Sequence, residues 1–240
     1  MTTLFISDLH LEAERPEIGE QFLDFLSGEA RQADALYILG DLFETWVGDD
    51  DPNPHYAQMK VAIRALVDSG VPVFFMHGNR DFVIGAKFAG ETGVVILDDP
   101  HPIEMFGRQV LLSHGDAFCI DDIEYQRARA MTRDPQWQAM MLAKPLQERL
   151  DFAEQSRLQS EQHKEQSSQQ IMDVNQGAIV EIFRETSVAV LLHGHTHRPA
   201  VHKFDLGERT VTRIVLGDWY EQGSVVRWDE QGPRLEAMPR

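Results

Sequence analysis

Residues 3–10 read TLFISDLH: a short apolar run that ends at an aspartate and a histidine two positions apart. Such a run, bounded by turn residues, is what a strand buried on both faces looks like. The same pattern recurs along the chain. ALYIL at 35–39 leads into Gly40-Asp41, VPVFFM at 71–76 into Gly78-Asn79-Arg80-Asp81, QVLLS at 109–113 into His114-Gly115-Asp116, and AVLL at 189–192 into Gly194-His195-Thr196-His197. RIVL at 213–216 is a further run of this kind. Between them, residues 19–27, 55–69 and 175–186 repeat apolar side chains every three or four positions, which predicts helices. Alternation of the two periods predicts a layered α/β domain. After about residue 222 the tail reads as a closing β-hairpin turning at Gln231 and Gly232.

The bulk numbers narrow the possibilities. With 240 residues the chain can bury one good core, and one domain over 1–240 is the expectation. There are 22 Lys and Arg against 39 Asp and Glu, so the formal net charge of −17 argues against broad contact with nucleic acid. The single cysteine, Cys119, cannot form an internal disulfide and reads as core filling, and MTTLFISD at the start carries no basic-then-apolar leader. A cytoplasmic protein is expected. No apolar run approaches the roughly 20 residues of a membrane-spanning helix, although contact with a membrane surface stays open.

One stretch breaks the rhythm. From about residue 121 to 173 there is no strand-like run, while Asp134-Pro135 and Pro145 read as helix starts. This predicts a helical insertion, or lid. Residues 126–170 carry a formal charge of +1, leaving −18 for the remainder. The insertion also holds Met131, Trp137, Met140, Met141, Leu142, Leu146, Leu150 and Phe152. Two readings of these are open: packing of helix on helix, or a greasy pocket or membrane-facing edge, for which Met-rich surfaces are suited.

The chemistry lies at the ends of the strands. In open α/β sheets the carboxyl ends line the binding crevice, so Asp8, His10, Asp41, Asn79, His114, His195 and His197 are expected to converge although they span most of the chain. Leaving a strand, residues two apart can point the same way, so the DxH and HxH pairs can each grip one ion. Carboxylate, imidazole and amide donors without thiolate suit Mn²⁺, Fe²⁺ or Zn²⁺. Seven ligands are too many for one ion. A lone DxH occurs often by chance, and a solitary buried histidine is usually a hydrogen-bonded core residue; the combination at five strand ends carries the inference. His55, His77, His101, His163, His193 and His202 fall outside the pattern.

The order of blocks, DxH, GD, GN, H and GHxH, resembles that of the calcineurin-like metallophosphoesterases over almost the full chain. That resemblance implies a four-layer sandwich of two mixed sheets flanked by helices. It implies one ion held by Asp8, His10, Asp41 and His197 and a second by Asp41, Asn79, His114 and His195, with Asp41 bridging. The longer segments FISDLHL (5–11), ALYILGDLFETWVGDDDPNP (35–54), HGNRDF (77–82), LSHGD (112–116), LLHGHTHRPAVH (191–202) and VLGDW (215–219) are similar to the pyrophosphatase branch of lipid A assembly. This implies hydrolysis of UDP-2,3-diacylglucosamine, a lipid-linked nucleotide sugar, with two Mn²⁺ as cofactors, by a monomer in peripheral contact with the cytoplasmic face of the inner membrane of a Gram-negative bacterium. It also implies catalytic roles for Asn79, Arg80 and His195, and substrate contacts from Asn79, Arg80, Asp122, Ser160, Lys164, Ser167 and His195. The chain departs from the branch at Ser167, where a lysine is common; Lys164 lies about one helical turn earlier and can serve the same phosphate. Asp122 and Ser160 can equally be a helix cap and part of a solvated face.

Arg80 is informative on its own terms. Many related enzymes have a histidine there to protonate an alkoxide leaving group, and arginine cannot do so because it stays protonated. A phosphate leaving group, with a second pKa of about 6, needs no such proton. Arg80 is then free to grip phosphate oxygens bidentately, the alternative being a salt bridge with Asp81. The rival expectations for the whole chain are a soluble phosphodiesterase or phosphatase acting on nucleotides or small esters, and a non-catalytic scaffold.

Overall fold

Each inner strand has two apolar faces, and the two faces enter different cores. In β1 (Thr3–Ile6) Leu4 and Ile6 face one way and Phe5 the other, and in β2 (Ala35–Leu39) Leu36 and Ile38 oppose Leu39. This period of two requires a covering layer on each side, here helices on one and a second sheet on the other. The computed structural model of the chain describes residues 1–166 and 173–239, the side chains of residues 161 and 163–166 excepted.

The first sheet has β1, β2, β3 (Val73–Met76) and β4 (Val95–Leu97) as parallel neighbours, with β10 (Gly223–Asp229) and β11 (Gly232–Met238) joined antiparallel beyond β1. The last two form the expected C-terminal hairpin. The second sheet runs β5-β6-β7-β9-β8, from β5 (His101–Met105), β6 (Arg108–Ser113), β7 (Val190–His193), β8 (Ala200–Leu206) and β9 (Arg209–Val215). Its central strands β6, β7 and β9 are parallel and its edge strands antiparallel. Phe5, Leu39, Met76, Val110, Leu112, Val190, Leu192, Ile214 and Trp228 fill the space between the sheets. Helices α1 (Pro16–Ser27), α2 (Pro54–Asp68) and α3 (Ala86–Thr92) cover the outer face of the first sheet through Phe22, Phe25, Met59, Ile63, Leu66 and Phe88. Helix α7 (Gln176–Thr186) covers the second with Ile179 and Phe183. The result is the expected sandwich of two mixed sheets flanked by helices.

The helix starts follow local rules. Pro16 and Pro54 occupy the first turns of α1 and α2, where a missing N–H costs nothing. Asn53 accepts from the His55 N–H at 3.0 Å, and Asn175 from those of Gly177 and Ala178 at 2.8 and 3.1 Å. Three strands and one helix were not anticipated. β5 and β8 are edge strands with much of their length in solvent, β4 is only three residues long, and α3 is a short helix of seven.

The predicted lid consists of α4 (Ile123–Thr132), α5 (Pro135–Leu142) and α6 (Leu146–Gln166), with no strand among the described residues of this stretch. Apolar burial does little to hold it. α4 has no buried residue and α5 only Met141. Polar anchors do the fastening. On α4, the Tyr125 hydroxyl and Arg129 Nε donate to the buried carboxylate of Asp116 at 2.8 and 2.9 Å. On α6, Arg149 makes a bidentate pair with Asp50 at 2.7 and 2.6 Å and donates to the Val47 carbonyl at 2.7 Å. The lid's apolar residues divide between the two readings. Trp137 packs beside Phe82 and Phe152, with centroids 6.2 and 5.6 Å away, whereas Met131, Met140 and Leu142 are exposed.

Leu192 is fully buried between the sheets, so Leu192→Ala should destabilise the protein by about 2–5 kcal/mol in denaturant unfolding. A change near zero would contradict the inter-sheet core.

Candidate metal centre

Strands β1 and β2 are adjacent and parallel, and their backbones stay hydrogen-bonded after the regular ladder ends. Asp8 N–H donates to Gly40 O at 3.1 Å, and His10 N–H to Asp41 O at 3.0 Å. Asp8-Leu9-His10 and Gly40-Asp41 therefore leave the sheet side by side. β7 of the second sheet delivers His195 to the same place, where its N–H donates to Asp8 Oδ2 at 2.9 Å.

The chain reaches this arrangement by adopting unusual backbone. Among the described residues, seven non-glycine residues have positive φ, and five of them are Asp8, His10, Asp41, His195 and His197. Left-handed conformations are unfavourable for such residues and persist where the surrounding structure enforces them, often at functional sites. Close approach also excludes side chains at two glycines. A Cβ on Gly78 would lie 2.1 Å from Asp41 Oδ1, and one on Gly194 would lie 2.2 Å from Asp8 Oδ2.

Two clusters result. Asp8, His10 and His197 form one, and Asp41, His114 and His195 the other, each with ligand atoms mutually within 4.8 Å. Asn79 Oδ1 joins the second at 3.0 Å from His114 Nε2. Asp41 Oδ2 lies between them, 3.8 Å from His10 Nε2 and 3.7 Å from His114 Nε2. The structure thus gathers all seven side chains that the sequence singled out.

Donor chemistry makes these clusters suited to cations. His10 Nδ1 donates to Glu44 Oε2 at 2.7 Å, His197 Nδ1 faces Asp218 Oδ2 at 3.2 Å, and His114 Nδ1 donates to the Leu39 carbonyl at 2.9 Å. These partners only accept, so each ring keeps its Nδ1 proton and turns the Nε2 lone pair inward. The Nε2 atoms of His10 and His197 meet at 3.2 Å, with Asp8 Oδ1 3.4 Å from the latter. Asp8 Oδ1 is buried without a hydrogen-bond partner. Converging lone pairs beside an unsatisfied buried carboxylate oxygen fit a divalent cation.

The electrostatics agree. Burial alone would lower the His114 imidazole, but the carboxylates of Asp41, Asp116 and Asp8 outweigh it and raise it to about 9. Burial likewise opposes protonation of His197, yet hydrogen bonds and charge from Asp218 and Asp8 raise it to about 10. His195 goes the other way: burial and the charge of His114 push it down to about 3. Asp8 is held below the ordinary carboxylate range because the imidazoles of His197, His114 and His10 outweigh its burial. Without metal, protons on His114 and His197 supply the positive charge that the carboxylates demand.

Beside this centre lies a cavity of about 410 Å³ under the lid. Its lining includes the polar side chains of Asn79, Arg80 and Tyr125 and the rings of Trp46, Phe82, Trp137 and Phe152. Arg80 does not pair with Asp81, which is fully buried and accepts the N–H groups of Gly78 and Leu42 at 2.8 and 2.7 Å. The carboxylate beside the Arg80 guanidinium is instead Glu44, 4.0 Å from Nε, and that Nε is buried without a hydrogen-bond partner. Ser160 lines the cavity. Asp122 does not, and serves as the N-cap of α4, its Oδ1 accepting the Tyr125 N–H at 2.9 Å. Ser167 and the side chain of Lys164 lie outside the described residues, as does that of His163. Cys119 is buried, and burial pushes its thiol up to about 12, which leaves it unreactive.

Several contributors escaped the sequence reading. Glu44 and Asp218 orient two imidazoles, Tyr220 stacks on His10 with centroids 5.3 Å apart, and Asp116 and Tyr125 face His195. Glu44 and Asp218 do fall inside the quoted segments at 35–54 and 215–219, which was the available signal.

A sequence model of the calcineurin-like phosphoesterases matches residues 1–199. The chain is 51% identical over 247 residues to a UDP-2,3-diacylglucosamine hydrolase of Stenotrophomonas maltophilia, covering 100% of both chains. It is 52% identical over 227 residues to one from Escherichia coli O81, covering 95% of each. Among solved structures, an archaeal phosphodiesterase superposes with a TM-score of 0.52 at 12% identity, covering 99% of this chain and 100% of that one, which supports the fold alone.

His114 and His197 have folded pKa values above the ordinary 6.5, so their stabilising contribution is complete below about pH 6.5 and lost as pH rises through about 9 and about 10. Metal-stripped protein should therefore lose melting temperature between pH 7 and 10, and Mn²⁺ should flatten that decline. A midpoint that climbs over this window would contradict the arrangement.

Proposed function

The chain belongs to the calcineurin-like phosphoesterase family, and from that premise we propose that it hydrolyses the pyrophosphate bond of UDP-2,3-diacylglucosamine. The products are UMP and 2,3-diacylglucosamine 1-phosphate, and attack falls on the uridine-linked phosphate. One observation carries this reading: a single cavity is lined both by Asn79 and Arg80, beside the metal clusters, and by the large apolar rings of Trp46, Phe82, Trp137 and Phe152. A substrate that is polyanionic at the reacting end and greasy at the other matches both parts.

Asp8, His10, Asp41 and His197 would hold one divalent cation and Asp41, Asn79, His114 and His195 the other, with Mn²⁺ the proposed metal. When bound, such a pair lowers the pKa of water and neutralises phosphate oxygens. The chain's own part is to fix geometry and charge. Glu44 and Asp218 hold the imidazoles of His10 and His197 in the ligating tautomer. The Arg80 N–H donates to Asp41 Oδ1 at 2.8 Å, which leaves Oδ2 facing both clusters. With its Nε unsatisfied, the Arg80 guanidinium is available to phosphate oxygens as charge builds up on them. No general acid is required, because phosphate leaves unprotonated.

We assign contacts with the sugar-phosphate part to Ser160 and Lys164, with Ser167 in the same group and Asp122 acting through the start of α4 that it caps. The whole of 1–240 acts as one domain and a monomer. The exposed apolar residues Ile123, Met131, Met140, Leu142 and Leu158 of α4–α6 give the lid an edge suited to the cytoplasmic surface of the inner membrane, from which the acyl chains would enter. No described helix is long and apolar enough to cross a membrane. Sedimentation with liposomes should carry part of the protein into the pellet, and complete retention in the supernatant would count against this edge.

Purified protein with Mn²⁺ should release UMP from UDP-2,3-diacylglucosamine and lose that activity with chelator. Arg80→Ala should lower the rate about 10²-fold or more, by analogy with removing one transition-state donor. Hydrolysis of bis(p-nitrophenyl) phosphate alone would favour a small-ester phosphodiesterase, and inertness toward both substrates a scaffold.

A further inference from the structure

We propose that Arg133, at the corner between α4 and α5, is a positioning residue for the Asn79–Arg80 loop, through which the lid sets the geometry of the half-site formed by Asp41, Asn79, His114 and His195. The proposal rests on reading that half-site as a metal site.

The loop after β3 has most of its polar groups accounted for from within the body. The Gly78 N–H goes to Asp81 Oδ1 at 2.8 Å, the Arg80 N–H to Asp41 Oδ1 at 2.8 Å, and the Trp46 N–H to Arg80 O at 3.2 Å. Two carbonyls, His77 O and Gly78 O, turn toward the lid. Arg133 Nη2 reaches both, at 3.4 and 2.9 Å, and its guanidinium lies 6.0 Å from the Phe82 ring centroid. Gln138 on α5 adds a longer contact to Phe82 O at 3.4 Å.

The Gly78 carbonyl belongs to the peptide unit that ends at Asn79 N. That unit is planar, so fixing its oxygen fixes the plane from which the Asn79 side chain departs. A charge-assisted hydrogen bond is a firm way to do so. Asn79 Oδ1 must be placed within a few tenths of an ångström to share an ion with His114 Nε2, 3.0 Å away.

Arg133 is itself held by the half-site. Its Nη2 lies 3.7 Å from Asp116 Oδ2, and Asp116 is fully buried two residues beyond His114. The same oxygen accepts from the Tyr125 hydroxyl and from Arg129 Nε, at 2.8 and 2.9 Å. Tyr125 in turn lies against His195, with ring centroids 5.6 Å apart. One buried carboxylate thus ties three residues of the α4 segment to His114, and those residues touch the Asn79 loop and His195. On the Asp8, His10 and His197 side, the orienting carboxylates come from the body, Glu44 and Asp218. Among the described residues, the lid's hydrogen bonds near the centre fall on the Asn79 half-site.

The test is to titrate metal-stripped wild type, Arg133→Met and Arg133→Lys with Mn²⁺ by calorimetry. Steady-state rates on UDP-2,3-diacylglucosamine and bis(p-nitrophenyl) phosphate at limiting and excess Mn²⁺ complete it. Wild type should bind two ions. Arg133→Met should bind one normally and the other about 10- to 100-fold more weakly, with kcat low at limiting Mn²⁺ and recovering in excess. Arg133→Lys, which keeps the charge and one donor direction, should fall between. Wild-type constants for both ions in Arg133→Met would overturn the proposal, and so would equal weakening of both, the result expected if Arg133 only stabilises the lid. Should Arg133→Met not fold, Arg133→Lys decides by the same criterion. A wild type that binds no pair of ions would instead refute the metal-site reading on which the proposal rests.

Discussion

Asp8 and Asp41 are carboxylates buried at the ends of neighbouring parallel strands, and an uncompensated pair of buried charges this close is untenable. The rest of the centre answers that constraint. Imidazoles from both sheets converge on the carboxylates, where His114 and His197 carry protons without metal and their Nε2 atoms can hold a cation with it. Glu44, Asp218 and the Leu39 carbonyl hold the far sides of three rings, and two glycines leave room for close approach. The left-handed backbone at five of these residues is tolerated because two sheets, closed over a shared apolar core, hold the strand ends in place.

The lid obeys a different logic. Body helices α1, α2 and α7 are fastened by buried aromatic and aliphatic side chains, whereas α4–α6 are fastened by arginines and a tyrosine reaching carboxylates and carbonyls of the body. Leaving the apolar side chains of the lid out of its own anchoring frees them for the cavity and the outer rim. The element proposed to receive the greasy part of the substrate is thereby attached to the charged part of the site.

Much of this was readable from the chain. The inner strands β1, β2, β3, β6 and β7 announced themselves because strands buried on both faces must be apolar throughout, and the residue types at their ends named the chemistry. The edge strands β5 and β8 did not, since half of each faces solvent and His101-Pro102-Ile103-Glu104 looks like loop. Sheet order was hidden too, because pairing of β1 with β10 depends on contacts more than two hundred residues apart. Glu44, Asp116 and Asp218 were missed as contributors because their roles depend on what they touch rather than on sequence spacing. For Arg80 the sequence offered Asp81 as the salt-bridge alternative, but the carboxylate beside its guanidinium is Glu44, since Asp81 is turned inward to hold the Gly78 and Leu42 amides.

Charge is distributed as unevenly as packing. Residues 126–170 sum to +1 and the remainder to −18, and the described part of that segment forms the helices over the centre. Such a molecule is an electric dipole. Near an anionic surface the acidic body is repelled more strongly than the near-neutral cap, a torque that favours the cap facing inward. The torque acts over a Debye length of about 8 Å at physiological ionic strength and about 3 Å in molar salt, so concentrated electrolyte would randomise the approach while leaving the buried chemistry untouched.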